Sequence, residues 1–208
     1  SSISVQAINK ADQIAQEQIA QPEDEAANQE DLGSTTGLWV TGDSVILGIR
    51  SKLESKEHIS LINARVGRQA PELLAVMRVD QSSVPSSPVV FNLGNNNALS
   101  EQTVIDIFEI VKNQPQIIVV NTAVPRPWRD ANNALIAEYA AANPRARVVD
   151  WAGISVNHPE YFAPDGVHLR PAGIRVYVAA ILEALDRLDL PRYQMGTYLD
   201  PNGPVPNE

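Results

Sequence analysis

Leu38-Trp39-Val40-Thr41-Gly42-Asp43-Ser44-Val45 reads as a short buried strand that stops at a glycine and delivers a serine to the start of a helix. Gly42 permits a tight turn at the junction. Two roles are open for the polar pair that follows. Asp43 or Ser44 caps the helix, the commoner use of such residues. Alternatively, Ser44 lies exposed in the crevice at a strand end, facing the positive pole of a helix, as a nucleophile would. The stretch is not G-x-S-x-G, so the sharp elbow of that motif is not indicated.

Outward from Leu38 the pattern is regular. Apolar runs suited to buried strands occur at 38–41, 59–62, 88–93, 116–121 and 147–150. Helical spacing occupies 45–55, 69–79, 100–113, 130–142 and 171–188. Strand and helix in alternation predict βαβ units, hence a mostly parallel sheet covered on both faces. Ligands of such sheets bind in the crevice at the carboxyl ends of the strands. Ser100 suits a helix N-cap with Glu101 behind it, and Pro171 suits the first turn of the last helix.

The flanks differ. Residues 5–20 carry a thin apolar stripe, Val5, Ile8, Ala11, Ile14, Ala15 and Ile19, that suits an amphipathic helix. Residues 21–36 contain Glu23, Asp24, Glu25, Glu30 and Asp31 and no basic residue, the composition of a solvated linker. Extended, those residues reach roughly 50 Å at about 3.3 Å each. After Pro191 the chain turns to Gly, Pro, Asn and Tyr, read as a wrapping or loose tail. The expected organisation is a linker over 1–37, a catalytic domain over 38–190 and a tail over 191–208.

The chain has 208 residues, enough for one sizeable core. Its formal net charge of −9 argues against a nucleic-acid partner, which requires a basic face. With no cysteine, disulfides, thiolate catalysis and cysteine-bound metal are excluded. No run of 18 apolar residues suggests a bilayer span. No H-E-x-x-H motif or dense His/Asp/Glu cluster calls for a metal, and no cofactor motif is present.

Asp165-Gly166-Val167-His168 changes the odds for Ser44. Three residues apart in a bent loop, the carboxylate can hold one imidazole nitrogen while the other takes the serine proton. Acyl transfer also needs donors for the oxyanion. Leu93-Gly94-Asn95-Asn96-Asn97 follows the third strand, and Asn63-Ala64-Arg65-Val66-Gly67-Arg68 the second. In the Pro125-Arg126-Pro127-Trp128-Arg129 loop, Trp128 suits stacking on a sugar ring and Arg126 suits a carboxylate, or both serve the surface.

Taken in order, Gly42-Asp43-Ser44, Gly94-Asn95-Asn96 and Asp165-x-x-His168 resemble the blocks of the SGNH (GDSL-like) hydrolases over roughly residues 38–190. The resemblance implies a three-layer α/β/α sandwich with a five-stranded parallel sheet of flavodoxin-like order. It implies a Ser44, Asp165, His168 triad and oxyanion donors from the Ser44 amide, Asn96 and Gly67, with the Arg68 amide as the alternative to Gly67. Asn97 stands where the family often has aspartate.

The Val40–Val45, Ala64–Gln69, Gly94–Asn97 and Val124–Trp128 segments are more closely similar to the extracellular C-terminal domain of bacterial peptidoglycan O-acetyltransferases. That resemblance implies ping-pong acetyl transfer to the C6 hydroxyl of N-acetylmuramic acid, without a metal. The acceptor would be a peptidoglycan glycan strand at the extracellular face of the membrane. An N-terminal membrane acyltransferase domain would deliver the acetyl donor. Hydrolysis by the same triad and glycan binding without catalysis are the rival functions.

Overall fold

A computed structural model of the protein describes residues 36–186. The helix expected at 5–20, the acidic segment up to residue 35 and the tail after Pro191 lie outside the described residues. Five strands, β1 (Leu38–Gly42), β2 (Ile59–Ala64), β3 (Val89–Asn92), β4 (Ile117–Val120) and β5 (Ala146–Val149), form one sheet in the order β2-β1-β3-β4-β5. Every pairing is parallel. Among the described residues, six α-helices connect and follow the strands: α1 (Ser44–Glu54), α2 (Ala70–Asp80), α3 (Glu101–Val111), α4 (Arg129–Ala141), α5 (Trp151–Ser155) and α6 (Pro171–Ala184). The five strands and five helices expected between residues 38 and 188 are all present. Helix α5 was not anticipated, because five residues hold too little of a 3.6-residue period to read.

The period-2 geometry of a strand divides the core in two. Leu38 and Val40 of β1, Val90 of β3, and Ile118 and Val120 of β4 pack with α1 and α6 on one face. Trp39, Val89, Phe91, Ile117 and Val119 pack with α2, α3 and α4 on the other. Every residue of β1, β3 and β4 is buried, which is why these strands read as continuous apolar runs rather than alternating ones. Each such side chain contributes on the order of 1.5–3 kcal/mol by leaving water.

Winding reverses between β1 and β3. The chain leaves β1 through α1 to β2 on one side, then crosses back to place β3 on the other. The carboxyl ends of β1 and β3 therefore border the crevice where open parallel sheets bind ligands. Thr41 faces Phe91 across this pair, just before the Gly42 turn.

Candidate active site

The capping role falls to Asp43 and leaves the Ser44 hydroxyl free of it. Asp43 is the N-cap of α1: its Oδ1 accepts the Val45 N–H at 2.9 Å. Ser44 is the first residue of that helix and is left half-buried, with its hydroxyl directed away from capping. Close packing makes Gly42 necessary. A Cβ there would sit 1.9 Å from Asn92 Oδ1 and 2.7 Å from Ile46 Cγ1. Its φ of +152° also lies outside the range that side-chain-bearing residues favour.

The partner of Ser44 comes from the loop before α6. Asp165 Oδ1 accepts the Val167 N–H at 2.9 Å and the His168 N–H at 3.0 Å, so the carboxylate folds its own loop. Gly166, at φ +72°, makes the bend, and the Ala163 N–H donates to the His168 carbonyl at 2.8 Å. The loop base is fixed where Gly173 meets the Tyr161 carbonyl, with no room for a Cβ. Asp165 Oδ2 then accepts the His168 Nδ1 hydrogen at 2.5 Å. His168 Nε2 lies 3.0 Å from Ser44 Oγ. With Nδ1 protonated toward the carboxylate, Nε2 accepts the serine hydroxyl hydrogen, the arrangement a general base needs. The hydrogen bond from His168 first, and the Val167 amide second, lower the Asp165 pKa from 3.8 to about 2.

The oxyanion candidates are arranged less simply. The Ser44 amide, at the open end of α1, has no protein acceptor among the described residues. In the turn after β2, the Arg68 amide donates to the Arg65 carbonyl at 3.3 Å, whereas the Gly67 amide has no acceptor among the described residues. Gly67 takes φ +72°, with open space where a Cβ would be. Asn96 donates from Nδ2 to Asp43 Oδ2 at 3.2 Å and to the Arg68 carbonyl at 3.0 Å. Its amide therefore reaches the nucleophile turn, with both hydrogens in use. Asn97 accepts the Ala70 N–H at 3.0 Å at the start of α2, work that an aspartate at this position would also perform.

Trp128 and Arg126 occupy the loop after β4. The Trp128 indole N–H donates to the Gly94 carbonyl at 3.1 Å, tying this loop to the Asn95–Asn97 loop and leaving the half-buried ring to its other neighbours. Arg126 is exposed. Pro125, beside it, lies against Gly166 of the histidine loop.

Several side chains near the site have roles that motif reading does not give, Arg68 among them through its guanidinium rather than its amide. Asn92 closes the apolar run of β3 and is buried beneath the turn; its Oδ1 accepts the Asp43 N–H and its Nδ2 donates to Asp43 Oδ1 at 2.7 Å. A buried polar residue ending an apolar strand was the available signal. The Arg68 guanidinium bonds the Asn63 carbonyl at 2.8 Å and Asn63 Oδ1 at 2.9 Å, beneath the β1 end. Tyr177 of α6 is buried, and burial first, then the negative charge of Asp43, raises its pKa and keeps the phenol neutral. A recess of about 10 Å³ is bordered by Val45, Gly166, Val167 and Tyr177, among others. Among the described residues, no group of three His, Cys, Asp or Glu is placed to hold a metal, and no helix is long and apolar enough to cross a membrane.

No family model matches the chain. It is 35% identical over 147 residues to peptidoglycan O-acetyltransferase OatA of Listeria monocytogenes, covering 70% of this chain and 23% of that protein. It is also 35% identical over 145 residues to YrhL of Bacillus subtilis, covering 69% of this chain and 23% of that protein. The chain thus spans about a quarter of the length of these relatives. The solved C-terminal catalytic domain of Streptococcus pneumoniae OatA, carrying a methylsulfonyl adduct, superposes with a TM-score of 0.56 at 26% identity, over 72% of this chain and 92% of that one. A GDSL-like lipase from Bacteroides thetaiotaomicron shares the fold, with a TM-score of 0.56 at 21% identity over 72% of this chain and 87% of that one.

The sheet order and these neighbours show that the chain has the fold of the GDSL-like hydrolases. In sequence it is a relative of peptidoglycan O-acetyltransferases, and in structure it is similar to the C-terminal catalytic domain of one of them.

Proposed function

We propose that this domain transfers acetyl groups to the C6 hydroxyl of N-acetylmuramic acid in peptidoglycan through an acetyl-serine intermediate. His168 Nε2 takes the Ser44 proton as Oγ attacks the acetyl carbonyl of the donor ester. The oxyanion is held by the Ser44 amide, a backbone amide of the Gly67–Arg68 turn and Asn96 Nδ2. The donor alkoxide leaves with the proton from Nε2, and acetyl-Ser44 remains. A glycan hydroxyl then loses its proton to Nε2 and attacks the acetyl carbon. Ser44 Oγ departs, recovers the proton and regenerates the site. Asp165 stays ionised throughout, fixing the imidazole tautomer and stabilising the imidazolium.

The observation that carries this reading is the Ser44–His168–Asp165 chain of hydrogen bonds at 3.0 and 2.5 Å, at the sheet's switch point. The similarity to the catalytic part of named peptidoglycan O-acetyltransferases supports the acceptor. In this reading the domain works outside the cell, tethered by its acidic N-terminal segment to a membrane acyltransferase domain that supplies the acetyl donor. His168 and Asp165 side chains are 52% and 48% exposed, so water reaches the acetyl-enzyme and slow hydrolysis accompanies transfer.

The test supplies p-nitrophenyl acetate as donor and a chito-oligosaccharide as acceptor, with mass spectrometry of the products. Acetylated oligosaccharide that depends on Ser44 supports transfer. Free acetate alone, with the acceptor unchanged, overturns it in favour of an esterase.

A further inference from the structure

The Asp43 carboxylate is only 6% exposed, yet among the described residues it forms no ion pair at salt-bridge distance. Four N–H donors surround it instead. Oδ1 accepts the Val45 N–H at 2.9 Å and Asn92 Nδ2 at 2.7 Å. Oδ2 accepts Asn95 Nδ2 at 2.9 Å and Asn96 Nδ2 at 3.2 Å. These donors belong to three different pieces of chain: the nucleophile turn, the end of β3, and the loop after it. Capping α1 requires only the first bond; the other three require a separate explanation.

A buried carboxylate is costly unless its lone pairs are filled, and here they are filled by amides that must converge on one point. The convergence reaches further. Asn95 Oδ1 accepts the Thr122 hydroxyl at 2.6 Å, and Thr122 Oγ1 accepts the Val124 N–H at 3.1 Å, which brings in the β4 loop. Asn96 Nδ2 meets Asp43 on one side and the Arg68 carbonyl of the β2 turn on the other. The ends of all four strands from β2 to β4 are thereby referred to the residue immediately before Ser44.

From this we infer that Asp43 is a positioning residue for catalysis, holding the Asn96 amide in register with Ser44. The inference rests on the acyl-serine reading above. When charge develops on the bound acyl oxygen, Asn96 keeps its bond to Asp43 and exchanges the Arg68 carbonyl for the oxyanion. A donor already anchored to a fixed anion has little left to reorganise at that moment, which is where such donors gain their effect. An asparagine at position 43 would keep the shape and the helix cap, but its amide nitrogen would face two donors that it cannot accept.

The test is a double-mutant cycle on the 208-residue chain, read as ester hydrolysis with p-nitrophenyl acetate, which needs no glycan. Asp43→Asn should lower kcat about 100-fold with KM changed less than about 3-fold, and Asn96→Ala should do the same. Added to Asn96→Ala, Asp43→Asn should cost no more than about 3-fold further, because the two act as one unit. Costs that multiply to about 10⁴-fold, or an unchanged kcat in the single variant, overturn the inference. Should Asp43→Asn not fold, the wild-type chain decides by NMR. The Asn96 side-chain amide protons should exchange with solvent at least about 100-fold more slowly than those of the exposed Asn157, and equal rates overturn it. The glycan reading fails separately, through absent acetylated oligosaccharide, and the acyl-serine reading through ester hydrolysis that survives Ser44→Ala.

Discussion

Ser44 Oγ and His168 Nε2 lie 3.0 Å apart although 124 residues separate them in the chain. Helices α1 and α6 bring them together. Both pack on the same face of the sheet, and the serine begins one helix while the histidine loop leads into the other. The His168 side chain is left half-exposed there, with the Asp165 carboxylate bonded to its far ring nitrogen.

Removal of either member should stop acyl-enzyme formation. Ser44→Ala and His168→Ala are each expected to lower ester hydrolysis by about 10⁴-fold or more, and the double variant little further, since the groups act as a unit. Labelling by a serine-directed sulfonyl fluoride, followed by intact mass, should vanish in Ser44→Ala. Labelling that persists there would show that another residue is the nucleophile.

Acid stability should carry the signature of Asp165. Its folded-state pKa is lowered from 3.8 to about 2, by the His168 hydrogen bond first and the Val167 amide next. A lowered carboxylate value means the contribution is present above about pH 4 and lost as pH falls through about 2. Thermal melts over that window should show wild type losing more stability than Asp165→Asn, which cannot titrate. The gap should be small, because this carboxylate is 48% exposed and screened by solvent. Parallel melting curves would mean the bond does not form in solution.

Two glycines separate packing from conformational cost. At Gly42 an added Cβ meets Asn92 Oδ1 at 1.9 Å, so Gly42→Ala should destabilise by about 2–4 kcal/mol, or roughly 5–15 °C in Tm. It should also reduce ester hydrolysis, since Asn92 supports Asp43. At Gly48, in α1, an added Cβ meets nothing within 4 Å, so Gly48→Ala should stabilise by about 0.5–1 kcal/mol. Equal effects at the two positions would contradict this packing of the turn.

Trp128 offers a test of stacking against scaffolding. Its N–H bonds the Gly94 carbonyl, which also accepts Asn132 Nδ2 at 3.0 Å. Trp128→Phe keeps an aromatic face and removes the donor, while Gly94 retains its second partner. With an oligosaccharide acceptor, Trp128→Phe should hold acceptor KM within about 3-fold and Trp128→Ala should raise it about 10-fold, as expected for ring stacking worth about 1 kcal/mol or more. Equal losses in the two variants would assign the residue to loop support alone.

Much of this molecule was legible in the amino-acid order because the relevant physics is local. The runs Val89-Val90-Phe91 and Ile117-Ile118-Val119-Val120 announce strands covered on both faces, and all their residues are buried. Ser100 and Pro171 mark the helix starts at which they stand, with the Ser100 hydroxyl bonded to the Thr103 N–H at 3.2 Å. Spacing of three residues sufficed to pair Asp165 with His168, because the pair closes within one loop. The Ser44 motif and the alternation of elements together were enough to anticipate the sandwich.

The remainder belongs to the tertiary structure. Whether Asp43 or Ser44 capped α1 could not be read from two adjacent polar residues, and only the bond from the Val45 amide assigns the cap to Asp43. Asn96 could be matched to a motif, but its bonds to Asp43 and to the Arg68 carbonyl depend on partners 53 and 28 residues away. Asn92 and Thr122 carry no motif at all, and the Asn95 motif says nothing of its bonds to Asp43 and Thr122. They matter because parallel strands β1, β3 and β4 end side by side, so that polar residues just past each apolar run are forced together and must satisfy one another. Periodicity is a property of neighbours along the chain and survives in one dimension; convergence at a sheet edge is set by strand order, and strand order exists only once the crossovers are made.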